Sequence, residues 1–174
     1  MPHDFSTVRL LSIDIDGVAT SGGITYSSDG RVISEIKTFS VHDGQGIVWI
    51  VADPDIEICV ITGRGGTAVN RRCAELGIKR YHEGVKDKWA KMQEIMDRLG
   101  IDASQVCHIG DDFSDVPILS KIGHPVCVPN ARPLVKDICT YCTQNPGGQG
   151  AVRDLIEAIF KSQGKFEAII SRYF

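Results

Sequence analysis

The sequence predicts an α/β fold with a mainly parallel sheet covered by helices on both faces. Apolar, β-branched runs of strand length alternate regularly with helical patterns along the chain. Several of the helical runs stop at a glycine, as at Gly77, Gly100 and Gly123. No composition shift, repeat or low-complexity tract marks a linker, so residues 1–174 are expected to form one domain.

The first strand covers residues 9–15 and ends by presenting Asp14 and Asp16. Between residues 22 and 38 the pattern changes to two short alternating segments around Asp29-Gly30, which predicts a β-hairpin just after the paired acids. A helix is expected over 46–52, then a strand over 56–62 and a helix over 67–76 before Gly77. The clearest helix spans 86–99, where Trp89, Met92, Met96 and Leu99 recur at spacings of three and four and form an apolar stripe facing the core. Further strands are expected at 105–110 and 125–129, with a weaker one at 139–143; further helices at 116–122 and 151–161 complete the alternation. The closing segment, QGKFEAIISRYF, fits either a helix end or an arm packed on a neighbouring subunit.

Composition narrows the functions. The 19 basic and 22 acidic residues, net charge -3, are spread along the chain and leave no basic footprint for nucleic acid or anionic lipid. The start, MPHDFSTVRLL, lacks the basic and long apolar regions of a leader, and no apolar run approaches a membrane span, so a cytoplasmic location is expected. Of the six cysteines, Cys59, Cys107 and Cys127 sit in apolar runs, and the lone CxxC of Cys139 and Cys142 has no second pair to complete a zinc site. Buried, reduced thiols are expected.

The polar chemistry gathers where strands are expected to end. Ligands of parallel sheets bind outside the carboxyl ends of the strands. There the first strand places Asp14 and Asp16, the second Thr62-Gly63-Arg64, and a later one Gly110-Asp111-Asp112 with Asp115 beyond. Two residues apart on a strand share a face, so Asp14 and Asp16 are expected to aim at one substrate. Clustered carboxylates without His or thiolate suit a hard cation such as Mg²⁺, held by Asp14, Asp111 and a backbone carbonyl. Asp14 is then placed as a nucleophile toward phosphate, and Asp16 as the group that protonates the leaving oxygen and later activates water. Thr62 offers a hydroxyl to phosphate oxygens, and Lys88, at the start of its helix, adds a fixed positive charge. No Walker glycine loop is present, which argues against nucleoside triphosphate hydrolysis. Taken singly, a DxD pair is usually a solvated turn, Lys88 a solvated helix residue and His108 a hydrogen-bonded core histidine. Their joint occurrence at strand ends favours a site.

These motifs resemble the haloacid dehalogenase superfamily of phosphatases. IDIDGVAT is similar to its nucleophile motif, VITGR to its threonine motif, Lys88 in EGVKDKW to its lysine motif and HIGDDFSD to its acidic metal motif. DGQGI at 43–47, CAELGI at 73–78 and GGQGAVRD at 147–154 resemble the subgroup acting on 2-keto-3-deoxy sugar acids such as 3-deoxy-D-manno-octulosonate 8-phosphate. The resemblance implies a Rossmann-like three-layer fold with a small hairpin flap and no large cap domain. It implies Asp14 as nucleophile, Asp16 as acid/base, and Mg²⁺ held by Asp14, the carbonyl of Asp16 and Asp111. Asp112 and Asp115 are implied as supporting acids, with Asp115 orienting Lys88.

Without a cap the site is open, and the resemblance implies a homotetramer whose hairpins and C-terminal segments complete neighbouring pockets. The partner is expected to be a small phosphorylated sugar acid, whose carboxylate calls for a bidentate cation; Arg64 is the first candidate and Arg153 the second. The hexapeptide GVATSG at 17–22 departs from the family's usual GVLTDG, and EGVKDK is also similar to enzymes of nine-carbon acid 9-phosphates, so 2-keto-3-deoxynononate and N-acetylneuraminate 9-phosphates are the alternative substrates. A non-catalytic tetramerisation module is disfavoured by the retained Asp14, Asp16, Thr62, Lys88 and Asp111. A signalling receiver domain has no use for an acid at position 16.

Overall fold

In the computed structural model, which describes residues 3–174, six parallel strands form one sheet: β1 (Leu10–Ile13), β4 (Glu57–Ile61), β5 (Arg80–His82), β6 (Val106–Gly110), β7 (His124–Cys127) and β8 (Tyr141–Cys142). Their order is β5-β4-β1-β6-β7-β8. The chain moves from β1 to one side as far as β5 and then returns past it to β6, so the carboxyl end of β1 lies at the topological switch point. A separate antiparallel hairpin, β2 (Thr25–Ser28) with β3 (Ile33–Ile36), follows β1. Its turn is the expected one: Asp29 Oδ1 accepts from the backbone N–H of Arg31 and of Val32, each at 2.8 Å, and Gly30 takes a φ of 85°.

Helices α1 (Val41–Val51), α2 (Thr67–Glu75), α3 (Lys88–Leu99), α4 (Val116–Leu119), α5 (Pro133–Ile138), α6 (Ala151–Ser162) and α7 (Phe166–Ile170) cover the sheet. The two-residue period of the strands divides the core. Leu11 and Ile13 of β1, Val60 of β4 and Ile109 of β6 pack with Ile47, Ile50, Val69, Leu155 and Ile159 from α1, α2 and α6 on one face. Leu10, Cys59, Ile61 and Val106 pack with Met92, Ile95, Met96 and Ile118 from α3 and α4 on the other. Each fully buried Leu or Ile contributes about 1.5–3 kcal/mol.

The expected stripe on α3 is thus core, with Ile95 added. Its helix starts where Asp87 accepts from the N–H of Ala90 at 2.9 Å, and stops at Gly100, whose φ is 62°.

Several elements differ from expectation. Helix α1 begins five residues earlier, because Ser40 accepts from the N–H of Asp43 and caps it. The glycines that dilute its pattern are packing positions: a Cβ on Gly46 would lie 3.1 Å from Arg153 Cδ and 3.3 Å from Ile156 Cδ1 of α6. Strand β5 was not expected; it is a short edge strand of Arg, Tyr and His, with no apolar run to announce it. Helix α5 opens on Pro133 at its first turn and is too short to show a period. The C-terminal segment folds as α7 and a following turn on its own chain, where Tyr173 Oη accepts from Trp49 Nε1 at 3.2 Å and Gln45 Nε2 at 3.3 Å. The cysteines are free thiols, four of them buried.

Candidate active site

Strand β1 stops at Ile13, and the acids lie in the tight turn beyond it. They are therefore carried by that turn and not by the strand itself. Asp14 is buried, Asp16 half-buried, and Gly17 turns the backbone away with a φ of 98°. A Cβ on Gly17 would meet Asp111 Oδ2 at 2.0 Å, so the glycine also lets the carboxyl end of β6 come close.

Lys88 is the centre of the buried charge. Its ammonium donates to Asp14 Oδ1 at 2.7 Å and to Asp115 Oδ1 at 2.6 Å, with its side chain only 3% exposed. It opens α3 as expected, but its reach is into the protein. Desolvation works against its charge, yet the two carboxylates more than offset that and raise its pKa.

Asp115 is fully buried and saturated with donors. Besides Lys88 it pairs with His108 Nε2 at 3.2 Å, while its Oδ2 accepts from the N–H of Asp111 at 3.1 Å and of Asp112 at 3.4 Å. Burial alone would push its carboxyl up; the His108 hydrogen bond and the Lys88 charge overcome this and hold it well below the ordinary carboxylate range. His108 is itself fixed by Ser12, its register partner on β1, at 2.9 Å. It is a hydrogen-bonded core residue, as its apolar neighbours implied, and its partner is the acid that orients Lys88.

The other acids are short of donors. Burial and the charge of Asp115 push Asp14 up to about 6 despite Lys88. Burial and the neighbouring Asp14, Asp115 and Asp112 push Asp111 up to about 7. Carboxylate oxygens of Asp14, Asp111 and Asp115 lie within 4.8 Å of one another. Asp115 has its oxygens engaged, so Asp14 and Asp111 are the pair with capacity for a cation, and an all-oxygen set suits a hard one. Asp112 is exposed at the rim.

Thr62 directly follows β4, with its hydroxyl donating to Arg64 O at 2.6 Å and accepting from the N–H of Arg64 at 3.2 Å. Gly63 and Arg64 are exposed. Arg64 Nη2 donates to Glu35 at 3.0 Å, and Arg64 Nε lies 3.9 Å from Asp16 Oδ2. Lys37, beyond β3, pairs with Asp16 Oδ1 and lies 3.1 Å from Glu35 Oε1. Glu35 and Lys37 were not foreseen, because a hairpin's alternation says nothing about what its charges face.

Arg153 is placed elsewhere. Its guanidinium stacks 3.8 Å from the Trp49 ring centroid and pairs with Glu157 at 2.8 Å. The N–H of Arg153 donates to buried Asp43 Oδ1 at 2.8 Å, tying α6 to α1.

The glycine-rich segment before α6 packs on the turn after β1 of its own chain. Gly148 N–H donates to Val18 O at 2.8 Å, and a Cβ on Gly147 would lie 1.8 Å from Gly17 O. Asn130 completes the brace, donating to Gly17 O at 3.0 Å and accepting from the N–H of Gly147 at 2.8 Å. Nothing in the sequence around Asn130 marked it; only the fold brings it here.

A parallel α/β sheet with a buried aspartate at its switch point, a buried lysine and a pair of acids suited to a cation is the arrangement of a phosphoryl-transfer hydrolase. A sequence profile described as haloacid dehalogenase-like hydrolase matches residues 81–156. The 3-deoxy-D-manno-octulosonate 8-phosphate phosphatase KdsC of Escherichia coli K12 is 38% identical over 160 residues, 92% of this chain and 83% of that protein. That of Yersinia pestis is 36% identical over 93% of this chain and 84% of its own length. The crystal structure of the Moraxella catarrhalis phosphatase, in complex with magnesium ion, phosphate ion and KDO, superposes with a TM-score of 0.92 at 35% identity, covering 98% of this chain and 95% of that one. The cobalt-bound Haemophilus influenzae enzyme gives 0.86 at 33% identity, with 95% of both chains covered. The chain belongs to the haloacid dehalogenase-like hydrolases, in the family of these KdsC phosphatases.

Proposed function

We propose that the protein hydrolyses the phosphate monoester of a 2-keto-3-deoxy sugar acid, 3-deoxy-D-manno-octulosonate 8-phosphate, through an aspartyl-phosphate intermediate. The observation that carries the reading is Asp14, buried at the carboxyl end of β1 on an ammonium it shares with Asp115, with Asp16 half-exposed beside it. Asp14 attacks phosphorus, and Asp16 gives a proton to the departing sugar oxygen. Water then attacks the aspartyl-phosphate as Asp16 takes the proton back. Thr62 and Gly63 line the phosphate's approach, and Lys88 holds Asp14 in place and screens the incoming charge.

Asp14, Asp111 and the Asp16 carbonyl would hold Mg²⁺. Burial, together with the excess negative charge of neighbouring carboxylates, raises Asp14 and Asp111, and that combination fits a divalent cation. When bound, the ion neutralises phosphate charge. Arg64, exposed and already on a carboxylate through Glu35, is suited to the acid group of the sugar.

The chain is read as one cytoplasmic domain that assembles as a homotetramer. No helix among the described residues is long and apolar enough to cross a membrane. The hairpin exposes Tyr26, Val32 and Ile33, the last at 73%, a surface suited to burial against another copy. Light scattering should give a particle of four 19.0 kDa chains; a fully active monomer would refute the assembly.

The deciding assay is phosphate release, with and without Mg²⁺, from the eight-carbon acid 8-phosphate, nine-carbon acid 9-phosphates and neutral sugar phosphates. Preference for the eight-carbon acid supports the reading, preference for a nine-carbon acid moves the substrate, and no release at all refutes phosphatase chemistry.

A further inference from the structure

We propose that Lys37 is the positioning residue for Asp16, fixing which carboxylate oxygen carries the transferred proton. The inference rests on the phosphatase reading above and goes beyond it.

Lys37 directly follows β3, with its side chain 3% exposed. A buried ammonium persists only where anions compensate its lost hydration. Asp16 and Glu35 supply them. The two oxygens of Asp16 are treated differently. Oδ1 is anchored by a hydrogen bond from Lys37, whereas Oδ2 makes no hydrogen bond and faces Arg64 Nε at the longer distance of 3.9 Å. The terminal torsion of an aspartate is broad and nearly two-fold, so an unheld carboxylate would sample both orientations. Anchoring one oxygen leaves the other free for chemistry.

The proton accounting follows. Asp14 forms its bond to phosphorus as the phosphorus–oxygen bond to the sugar breaks, and the electron pair leaves on the sugar oxygen. The proton on Asp16 Oδ2 moves to that oxygen. Water next bonds to phosphorus, its proton goes to Asp16 Oδ2, and the bond between Asp14 and phosphorus breaks to free inorganic phosphate. Lys37 keeps its proton throughout. Its anchor comes from the hairpin, so the flap controls the aim of the acid.

The test compares leaving groups. p-Nitrophenolate departs without a proton, whereas a sugar alkoxide needs one. Lys37→Met should lower kcat on the sugar acid phosphate by roughly 10- to 100-fold, within the range general acid catalysis supplies, with KM changed by less than about threefold. Rapid mixing with p-nitrophenyl phosphate should still give a stoichiometric burst of p-nitrophenol. Lys37→Arg, which restores the cation, should recover most of the lost kcat.

A loss carried by KM, disappearance of the burst along with sugar phosphate turnover, or an Arg variant no better than Met would overturn the proposal. Should Lys37→Met not fold, Lys37→Gln decides: it keeps a polar side chain but neither the charge nor the full reach to Asp16, so sugar phosphate kcat should fall while the p-nitrophenol burst survives, and an unchanged sugar phosphate kcat would refute the proposal. Wild-type protein that turns over a simple alkyl phosphate but not the sugar acid phosphate refutes the substrate, and the same comparison on the alkyl phosphate still tests Lys37.

Discussion

Asp111→Asn should stabilise the metal-free protein while ending its activity. In the absence of a cation the Asp111 carboxyl is pushed from an ordinary 3.8 up to about 7 by burial and by Asp14, Asp115 and Asp112. At pH 8 the folded protein therefore carries a charge it would prefer to lose. The interval corresponds to about 4 kcal/mol at full strength. Asp111 is only half-buried, and solvent screening reduces this to about 1–2 kcal/mol. Asparagine keeps the shape and removes the charge, so melting without Mg²⁺ should rise by roughly 2–8 °C for a chain of this length. The response to Mg²⁺ should change in the opposite sense. Wild type gains about 2.7 kcal/mol at a Mg²⁺ concentration 100-fold above Kd, whereas the variant, with one ligand carboxylate lost, should gain little and release no phosphate. Paired thermal melts, with and without Mg²⁺, measure both effects. A variant that melts below wild type without metal, or that Mg²⁺ stabilises as much as wild type, would refute the reasoning.

The same burial and repulsion give a pH dependence. Folded Asp14 and Asp111 titrate above their unfolded values, at about 6 and about 7, so the stability they contribute is present below pH 4 and is lost as pH rises through 6 and 7. Asp115, held low, acts in reverse: its contribution is present above about pH 4 and lost on further acidification. Metal-free protein should therefore melt progressively lower from pH 5 to 8 in a series of thermal scans, and saturating Mg²⁺ should flatten the decline. Lys88→Met leaves two buried carboxylates without their cation; the cost of breaking such a pair, about 3–5 kcal/mol, should lower the melting temperature by at least about 6 °C and abolish turnover, as melts and phosphate release will show. Gly147→Ala places a methyl group 1.8 Å from Gly17 O; the turn must shift, at about 1–3 kcal/mol, and kcat should fall although no substrate-facing side chain has changed.

The sequence by itself determined the layered α/β order and most of the residues gathered at the candidate site. Strands such as 56–62 are short apolar runs, the α3 stripe repeats at helical spacing, and both signals are local, so they survive without knowledge of the partner. Asp14, Thr62, Lys88 and Asp111 were legible for a related reason: each follows a strand or opens a helix, and parallel topology gathers those ends at one edge. What only tertiary structure decided is which charges meet. Asp14 meets Lys88 and Asp16 meets Lys37, because β1 ends at Ile13 and the turn beyond it brings the two acids against different elements. Arg153 sits in a promising motif yet spends its guanidinium on Trp49 and Glu157, since the packing of α6 on α1 orients it there. Lys37, Glu35 and Asn130 reach the site from a hairpin and a loop far along the chain. Their pairing is set by distance in space, and no period or spacing in the sequence encodes it.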